Sequence, residues 1–236
     1  MTETSLSRAE ASRAVTDLGW RLLLADLRTS VAVTSLQQAA EVTGAVVTAC
    51  GADADAHLRV DARPDRVELS LQNRAEGTVT TRDTDLAARI SSTLGKLGLR
   101  TGGATADEIP RPVQALELAI DTLDVAAIRP FWKAVLGYVD EPGDEAGADA
   151  LLDPAGQLPA IWFQRMDVPR PQRNRIHFDI AVAHDEAPRR IRAALDAGGR
   201  LLTDAYAKSF WVLADAEGNE ICICTWQDRD EPDDIA

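Results

Sequence analysis

The second half of this 236-residue chain matches itself when it is displaced by 62 positions, and nothing else in the sequence limits the fold as strongly. Ala119 falls on Ala181 and Gly137 on Gly199. Leu151, Asp153 and Gly156 fall on Leu213, Asp215 and Gly218, and Ile161 falls on Ile223. Similar residues fill the intervals: Glu117 with Asp179, Leu118 with Ile180, Ile120 with Val182. Matches that keep their order along whole elements mark a duplication. Each copy reads as a strand, a helix and further strands, ending in an Asp-x-x-Gly turn and an apolar strand. A copy of this length buries too little surface to be comfortable alone, so the two are expected to pack together. A pseudo-twofold relation then places equivalent strand residues around a shared cleft, where a small-molecule pocket is expected.

The duplication begins after a break. Leu99 to Val113 carries paired glycines and a Pro-x-Pro, the chemistry of a linker. The expected organisation is residues 1–98, a linker at 99–113, the duplicated domain at 114–227 and an acidic tail at 228–236. The first domain reads as helix, one or two strands, helix, two strands, helix. Ser7 to Leu18 is a short helix with Ser7 as N-cap. Trp20 to Val33 suits strands, and Thr34 or Ser35 caps a helix running towards Cys50. Ala56–Ala62 and Arg66–Gln72 read as strands joined by Arg63-Pro64-Asp65. In the second of these, Val67, Leu69 and Leu71 alternate with Glu68, Ser70 and Gln72. Asp83 to Leu97 closes the domain as a helix with Leu86, Ile90, Leu94 and Leu97 on one stripe. The fold class is α+β, an α-β-β-α-β-β-α-like domain followed by a paired βαβββ domain.

Composition narrows the partners. Hydrophobic residues make up 45% and charged residues 27%, enough for two cores without disulfides. The formal net charge of −13 opposes binding to nucleic acid or to an anionic membrane. No apolar run reaches the roughly 18 residues of a membrane span, and the N-terminus lacks a signal-peptide pattern, so a cytoplasmic location is expected. Cys50, Cys222 and Cys224 suggest no disulfide framework. Cys222 and Cys224 share a strand face, where a lone Cys-x-Cys is a weak metal signal and apolar filling is the expected role. The acidic loop Asp140 to Asp149 reads as a surface segment.

The stretches Leu116–Tyr138, Asn174–Val182 and Asp215–Cys222 make the second half resemble the vicinal-oxygen-chelate superfamily of glyoxalases, extradiol dioxygenases and bleomycin-resistance proteins, above all its small glyoxalase-like branch. Metal-using members present two ligands from each copy. The resemblance implies His177 and Glu220 as the second copy's pair. Their counterparts under the repeat are Ala115 and Leu158, which cannot bind a metal, so no cofactor is certain and a divalent metal would find an incomplete site. Glu117 and Asp179 lie two residues on from Ala115 and His177, hence on the same strand faces. Glu117, His177, Asp179 and Glu220 together offer a shifted metal site. The alternative pairs Glu117 and Asp179 with arginines such as Arg175 and leaves His177 a satisfied pocket histidine. Trp162, Phe163, Phe210, Trp211 and Trp226 are candidate apolar walls, with Trp162 equivalent to Cys224. Arg170, Arg173 and Arg175 form a basic stretch before the histidine strand, open to an anionic ligand or simply to solvent.

The first half, from Ala52 to Ile90, resembles pterin-4a-carbinolamine dehydratase. In that family a His-His-Pro opens a strand, a third histidine ends the next and an aspartate starts the following helix. Ala56-His57-Leu58 stands at the first position, Arg74 at the third histidine and Asp83 at the aspartate. The resemblance implies a catalytic group of His57, Asp83 and Arg74, a lyase reaction on a 4a-hydroxypterin, and a pterin-like ligand. That dehydration needs an acid for the departing hydroxyl and a base for the ring N–H, roles that imidazoles fill near neutral pH. With one histidine instead of three, one role lacks its usual partner. Arg74 stays charged and is no base, although it can orient a carbonyl or an anion. Asp83 fits an N-cap equally well. Three readings stand side by side: a dehydratase using His57, chemistry at His177 and Glu220 with or without a metal, and a non-catalytic protein that sequesters or senses a small molecule. Both families form dimers, so a homodimer is expected.

Overall fold

A computed structural model describes residues 3–102, 114–142, 150–170, 172 and 176–229. The stretches 103–113, 143–149 and 230–236, together with Arg173 and Arg175, lie outside the described residues. The chain divides into two compact units, Met1–Ala115 and Leu116–Ala236. Helices and sheets are mixed in each, which makes the fold α+β. No helix among the described residues is long and apolar enough to cross a membrane.

In the first unit, α1 (Arg8–Val15) starts at a capping box in which the Ser7 hydroxyl and the Glu10 carboxylate satisfy each other's backbone N–H groups. It stops earlier than its apolar spacing suggests. Thr16–Leu18 is a 3-10 turn closed by Gly19 in the left-handed region. Strands β1 (Arg21–Leu23) and β2 (Asp26–Ala32) follow, then α2 (Leu36–Cys50), whose N-cap Ser35 accepts from the Gln38 N–H. A single helical turn, α3 (Ala54–His57), leads into β3 (Leu58–Ala62) and β4 (Arg66–Leu71), and α4 (Thr81–Lys96) ends the unit. The four strands pair antiparallel in the order β1-β2-β4-β3. Val67, Leu69 and Leu71 face inward from β4 as the alternation requires, and Leu86, Ile90 and Leu94 of α4 cover them. Each such side chain contributes about 1.5–3 kcal/mol by leaving water.

Two local expectations need correction. Ala56 and His57 are helical rather than extended, because carbonyls of the Asp55–Leu58 turn receive the Arg74 backbone N–H and guanidinium. Helix α4 starts at Thr81, two residues before Asp83. Thr80 is its N-cap, and Asp83 is the third helical residue, reaching back to the Thr80 N–H.

In the second unit, the first copy comprises β5 (Glu117–Thr122), α5 (Val125–Leu136), β6 (Val139–Asp140), β7 (Ala150–Leu152) and β8 (Ala160–Arg165). The second comprises β9 (Phe178–Ala181), α6 (Ala187–Asp196), β10 (Arg200–Thr203), β11 (Phe210–Ala214) and β12 (Glu220–Cys224). Each copy forms a four-stranded sheet, ordered β5-β8-β7-β6 and β9-β12-β11-β10, with the first strand parallel to the last. Helices α5 and α6 start 62 residues apart, the displacement of the sequence repeat.

The matched glycines have physical work at the ends of these helices. Gly137 terminates α5 at φ +69°, a conformation that L side chains resist. Gly199 lies so close to α5 that an added Cβ would sit 2.3 Å from the Phe131 ring. Phe131, Trp132, Ile161, Leu213, Ile221 and Ile223 belong to one core shared by both copies.

Candidate functional site

In the first unit the N-terminal segment is laced to the start of α4. Leu6 N–H donates to the Val79 carbonyl and Thr81 N–H to the Thr4 carbonyl, both at 2.9 Å. This brings Glu3 over His57. The His57 ring is buried, with Nδ1 2.8 Å from Asp83 Oδ1. A carboxylate only accepts, so Nδ1 carries the hydrogen and Nε2 is the working nitrogen. Asp83 is fully buried, and its Oδ2 accepts from the Thr80 N–H and hydroxyl at 2.7 and 2.8 Å. Nε2 of His57 faces Glu3 Oε1 at 3.7 Å. The same Glu3 oxygen accepts from Asn73 and from Thr80, each at 2.8 Å. The Thr80 hydroxyl holds the Glu3 carboxyl below its ordinary value against the opposing effect of burial, with Asn73, His57 and Arg82 adding to the lowering.

His57 and Asp83, two of the three residues singled out in the first half of the sequence, therefore meet. Arg74 does not join them, since its guanidinium donates to the carbonyls of Asp55, Ala56 and Leu58. Glu3 was not foreseen. No spacing motif connects it to His57, and only the lacing of residues 4–6 to 79–81 brings them together.

In the second unit, β5 and β9 are the outer strands of their sheets, and a cavity of about 950 Å³ is lined from both. Leu118 and Ile120 of β5, Phe178 of β9, Ile176 and the Trp132 ring supply apolar surface. Trp132 and Phe178 meet edge to face at 5.8 Å between centroids. Among the described residues the polar lining is Asp121, Arg170, Glu217, Asn219 and Glu220. Arg170 stands 3.9 Å from Asp121. Glu217 is fixed by the Thr122 hydroxyl at 2.7 Å and by the Leu123 and Asp124 N–H groups, each at 3.0 Å. Burial pushes the Glu217 carboxyl up, but these donors outweigh it and hold it below its ordinary value. The Trp132 indole donates at 2.9 Å to the buried Asp215, whose other oxygen organises the turn carrying Glu217 and Asn219.

Of the residues read from the sequence, Glu220 and Arg170 line this cavity. His177, just before β9, and Asp179 on that strand stand beside the cavity, with His177 Nε2 3.5 Å from Asp179 Oδ1. The register pairs Phe178 with Ile221, so His177 and Glu220, the residues just before them, are neighbours across β9 and β12. The next pair, Asp179 and Cys222, is also aligned. His177, Asp179 and Cys222 bring their ligand atoms within 4.8 Å of one another, a grouping that includes neither Glu117 nor Glu220. The Cys222 thiol is pushed up to about 12, first by burial and then by its hydrogen bond to Asp179. The filler role expected of Cys222 thus omits its polar neighbours. Trp162 is beside Ala119 on the sheet and outside the cavity lining. Phe163 and Trp211 pack on the core side instead of forming pocket walls. Glu117 is exposed on β5.

Paired βαβββ copies beside a cavity, preceded by a sheet-and-helix unit with a buried His–Asp pair, make up the two units of the chain. Residues 117–224 match the family model of the glyoxalase-like domain, and residues 4–93 match that of pterin 4 alpha carbinolamine dehydratase. No curated protein sequence matches the chain. Among solved structures, an oxidase, ChaP-H2, is 16% identical at a TM-score of 0.37, covering 48% of this chain and 94% of its own. A glyoxalase/bleomycin resistance protein/dioxygenase family enzyme from Burkholderia phytofirmans PsJN is 17% identical at 0.35, covering 46% and 95%. A possible glyoxalase from Bacillus cereus is 16% identical at 0.36, covering 48% and 98%.

The metal arrangement of two ligands from each copy does not fit these residues. Ala115 and Leu158, at the first copy's positions, have no donor side chains.

Proposed function

We propose that the second unit is a receptor for a small organic molecule with an apolar body and a cationic or hydrogen-bond-donating edge. The observation that carries this reading is the composition of the cavity between β5 and β9. Its volume of about 950 Å³ stands at the upper end of the roughly 300–1,000 Å³ of ligand pockets. Trp132, Phe178, Leu118 and Ile176 offer the apolar wall, while among the described residues Asp121, Glu217 and Glu220 add carboxylates beside Arg170. Glu217 is held charged and in place, so it offers a fixed acceptor rather than a mobile acid. The role that follows is binding and sequestration.

Equilibrium binding of the lipophilic cation rhodamine 6G to the full chain tests this. Saturable binding at one site is expected, weakened by Glu220→Gln and abolished by Ala119→Trp, which fills the cavity from the exposed side of β5. Non-saturable binding, or affinity unchanged in Ala119→Trp, refutes the reading.

A second reading attaches to the first unit and rests on the 2.8 Å contact of His57 with Asp83. Asp83 orients the imidazole so that the Nε2 lone pair can take the ring N–H proton and, once charged, return a proton to the departing hydroxyl, as a dehydratase requires. Glu3 occupies the approach to that nitrogen, so turnover requires the N-terminal segment to move aside. Dehydration of freshly generated 4a-hydroxytetrahydropterin, compared between wild type and His57→Ala, tests it. Equal rates at the uncatalysed level reduce the family match to a likeness of fold.

A further inference from the structure

The geometry points to a binding site for a thiophilic divalent cation of the zinc class, built within the second copy alone from His177, Asp179 and Cys222. Three kinds of donor converge: an imidazole nitrogen, a carboxylate oxygen and a sulfur, all within 4.8 Å of one another. Their convergence follows from the register. Asp179 on β9 is aligned with Cys222 on the parallel strand β12. His177 precedes Asp179 by two residues and shares its face, while the intervening Phe178 turns to the core.

Bond lengths of about 2.3 Å to sulfur and 2.0–2.2 Å to nitrogen and oxygen place tetrahedral ligands roughly 3.3–3.8 Å apart. The present spacing therefore closes with a shift of about 1 Å. The two ligands that must move are free to do so, with side chains 54% and 59% exposed for His177 and Asp179. Cys222 is buried and supplies the fixed floor. Magnesium and calcium prefer all-oxygen shells, whereas nitrogen and sulfur together select zinc-like ions. Binding breaks the Cys222 S–H bond, forms a sulfur–metal bond and releases one proton to solvent. Three protein ligands leave the fourth tetrahedral position for an exogenous donor.

This site does not depend on the cavity reading, and one titration separates them. Cobalt(II) added to the metal-free full chain is expected to bind at one equivalent, with a thiolate-to-cobalt charge-transfer band, and to be displaced by zinc. The band should vanish in Cys222→Ser and persist in Cys224→Ser, Cys50→Ser and Ala119→Trp. His177→Ala alters an exposed residue without touching the core. It should weaken binding by more than the roughly 10- to 100-fold that loss of an outer-shell partner costs. Absence of stoichiometric binding, cobalt bound without a sulfur band, or a band retained in Cys222→Ser overturns the assignment.

Discussion

Replacing Asp215 by alanine tests whether the two copies are held together as the structure indicates. Asp215 is fully buried and accepts from the Trp132 indole at 2.9 Å, from the Asn219 side chain at 2.8 Å, and from the Glu217 and Asn219 N–H groups at 2.9 Å. A hydrogen bond to a charged acceptor is worth about 1.5–3 kcal/mol, and a buried donor left without a partner costs about 1–3 kcal/mol. Water can reach the turn amides but not the Trp132 indole, so the loss should be about 3–5 kcal/mol rather than the full sum. For a unit of this size that is roughly 4 °C per kcal/mol, a fall of about 12–20 °C in Tm. Heat unfolding followed by indole fluorescence reads this unit, because four of the five tryptophans (Trp132, Trp162, Trp211 and Trp226) belong to it. The repeat supplies an internal control. Asp153 holds the equivalent turn through Ala155, Gln157 and Leu158 N–H groups, all in exposed residues, and accepts from no indole. Asp153→Ala should cost only about 1 kcal/mol. Equal losses at the two aspartates, or a loss below about 1 kcal/mol at Asp215, would refute the argument.

Further outcomes follow from the same contacts. Gly199→Ala pushes a methyl group into the Phe131 ring and should cost about 1–3 kcal/mol, read as a lower urea midpoint. The depressed carboxyl of Glu217 contributes stability that is present above its unfolded value and lost as pH falls through its folded one. Stability should therefore decline on acidification below pH 4.5, and Glu217→Gln should flatten that decline in melts run across pH. His57 should be the slowest of the three histidines to react with diethyl pyrocarbonate in wild type. Glu3→Ala, which uncovers Nε2, should speed its modification as read by peptide mass spectrometry.

Much of the fold was legible because it depends on period and repetition. Alternation in Arg66–Leu71 and the stripe through Leu86, Ile90 and Leu94 report burial directly. The repeat gave the order of the second half because Gly137 and Gly199, and Asp153 and Asp215, answer to backbone demands that both copies share. Proximity at the candidate sites was legible only where a family pattern supplied spacing, as for His57 beside Asp83 and His177 across from Glu220. Glu3 and Cys222 were missed for different reasons. Glu3 reaches His57 through hydrogen bonds between residues 70 or more positions apart, which no local pattern encodes. Cys222 sits on an apolar strand, and only the β9–β12 register reveals Asp179 beside it.

The duplication also explains why the chemistry gathers on one side. Copies related by a pseudo-twofold must keep the residues that fix strands and turns, because each copy needs its own Asp-x-x-Gly turn and helix end. Nothing in the fold demands equivalent side chains on the faces beside the cavity. Where the second copy has His177, Glu217, Glu220 and Cys222, the first has Ala115, Ala155, Leu158 and Ala160. A ligand between β5 and β9 therefore meets Glu217, Asn219 and Glu220 from one copy and, Asp121 apart, an apolar surface from the other. Such a pocket orients an asymmetric ligand, because turning the molecule over exchanges its polar and apolar contacts. Placing a carboxylate on the first copy's apolar lining, as in Leu118→Glu, should erode that preference. If Leu118→Glu left the affinity for rhodamine 6G unchanged, the difference in polarity between the copies would have no part in recognition.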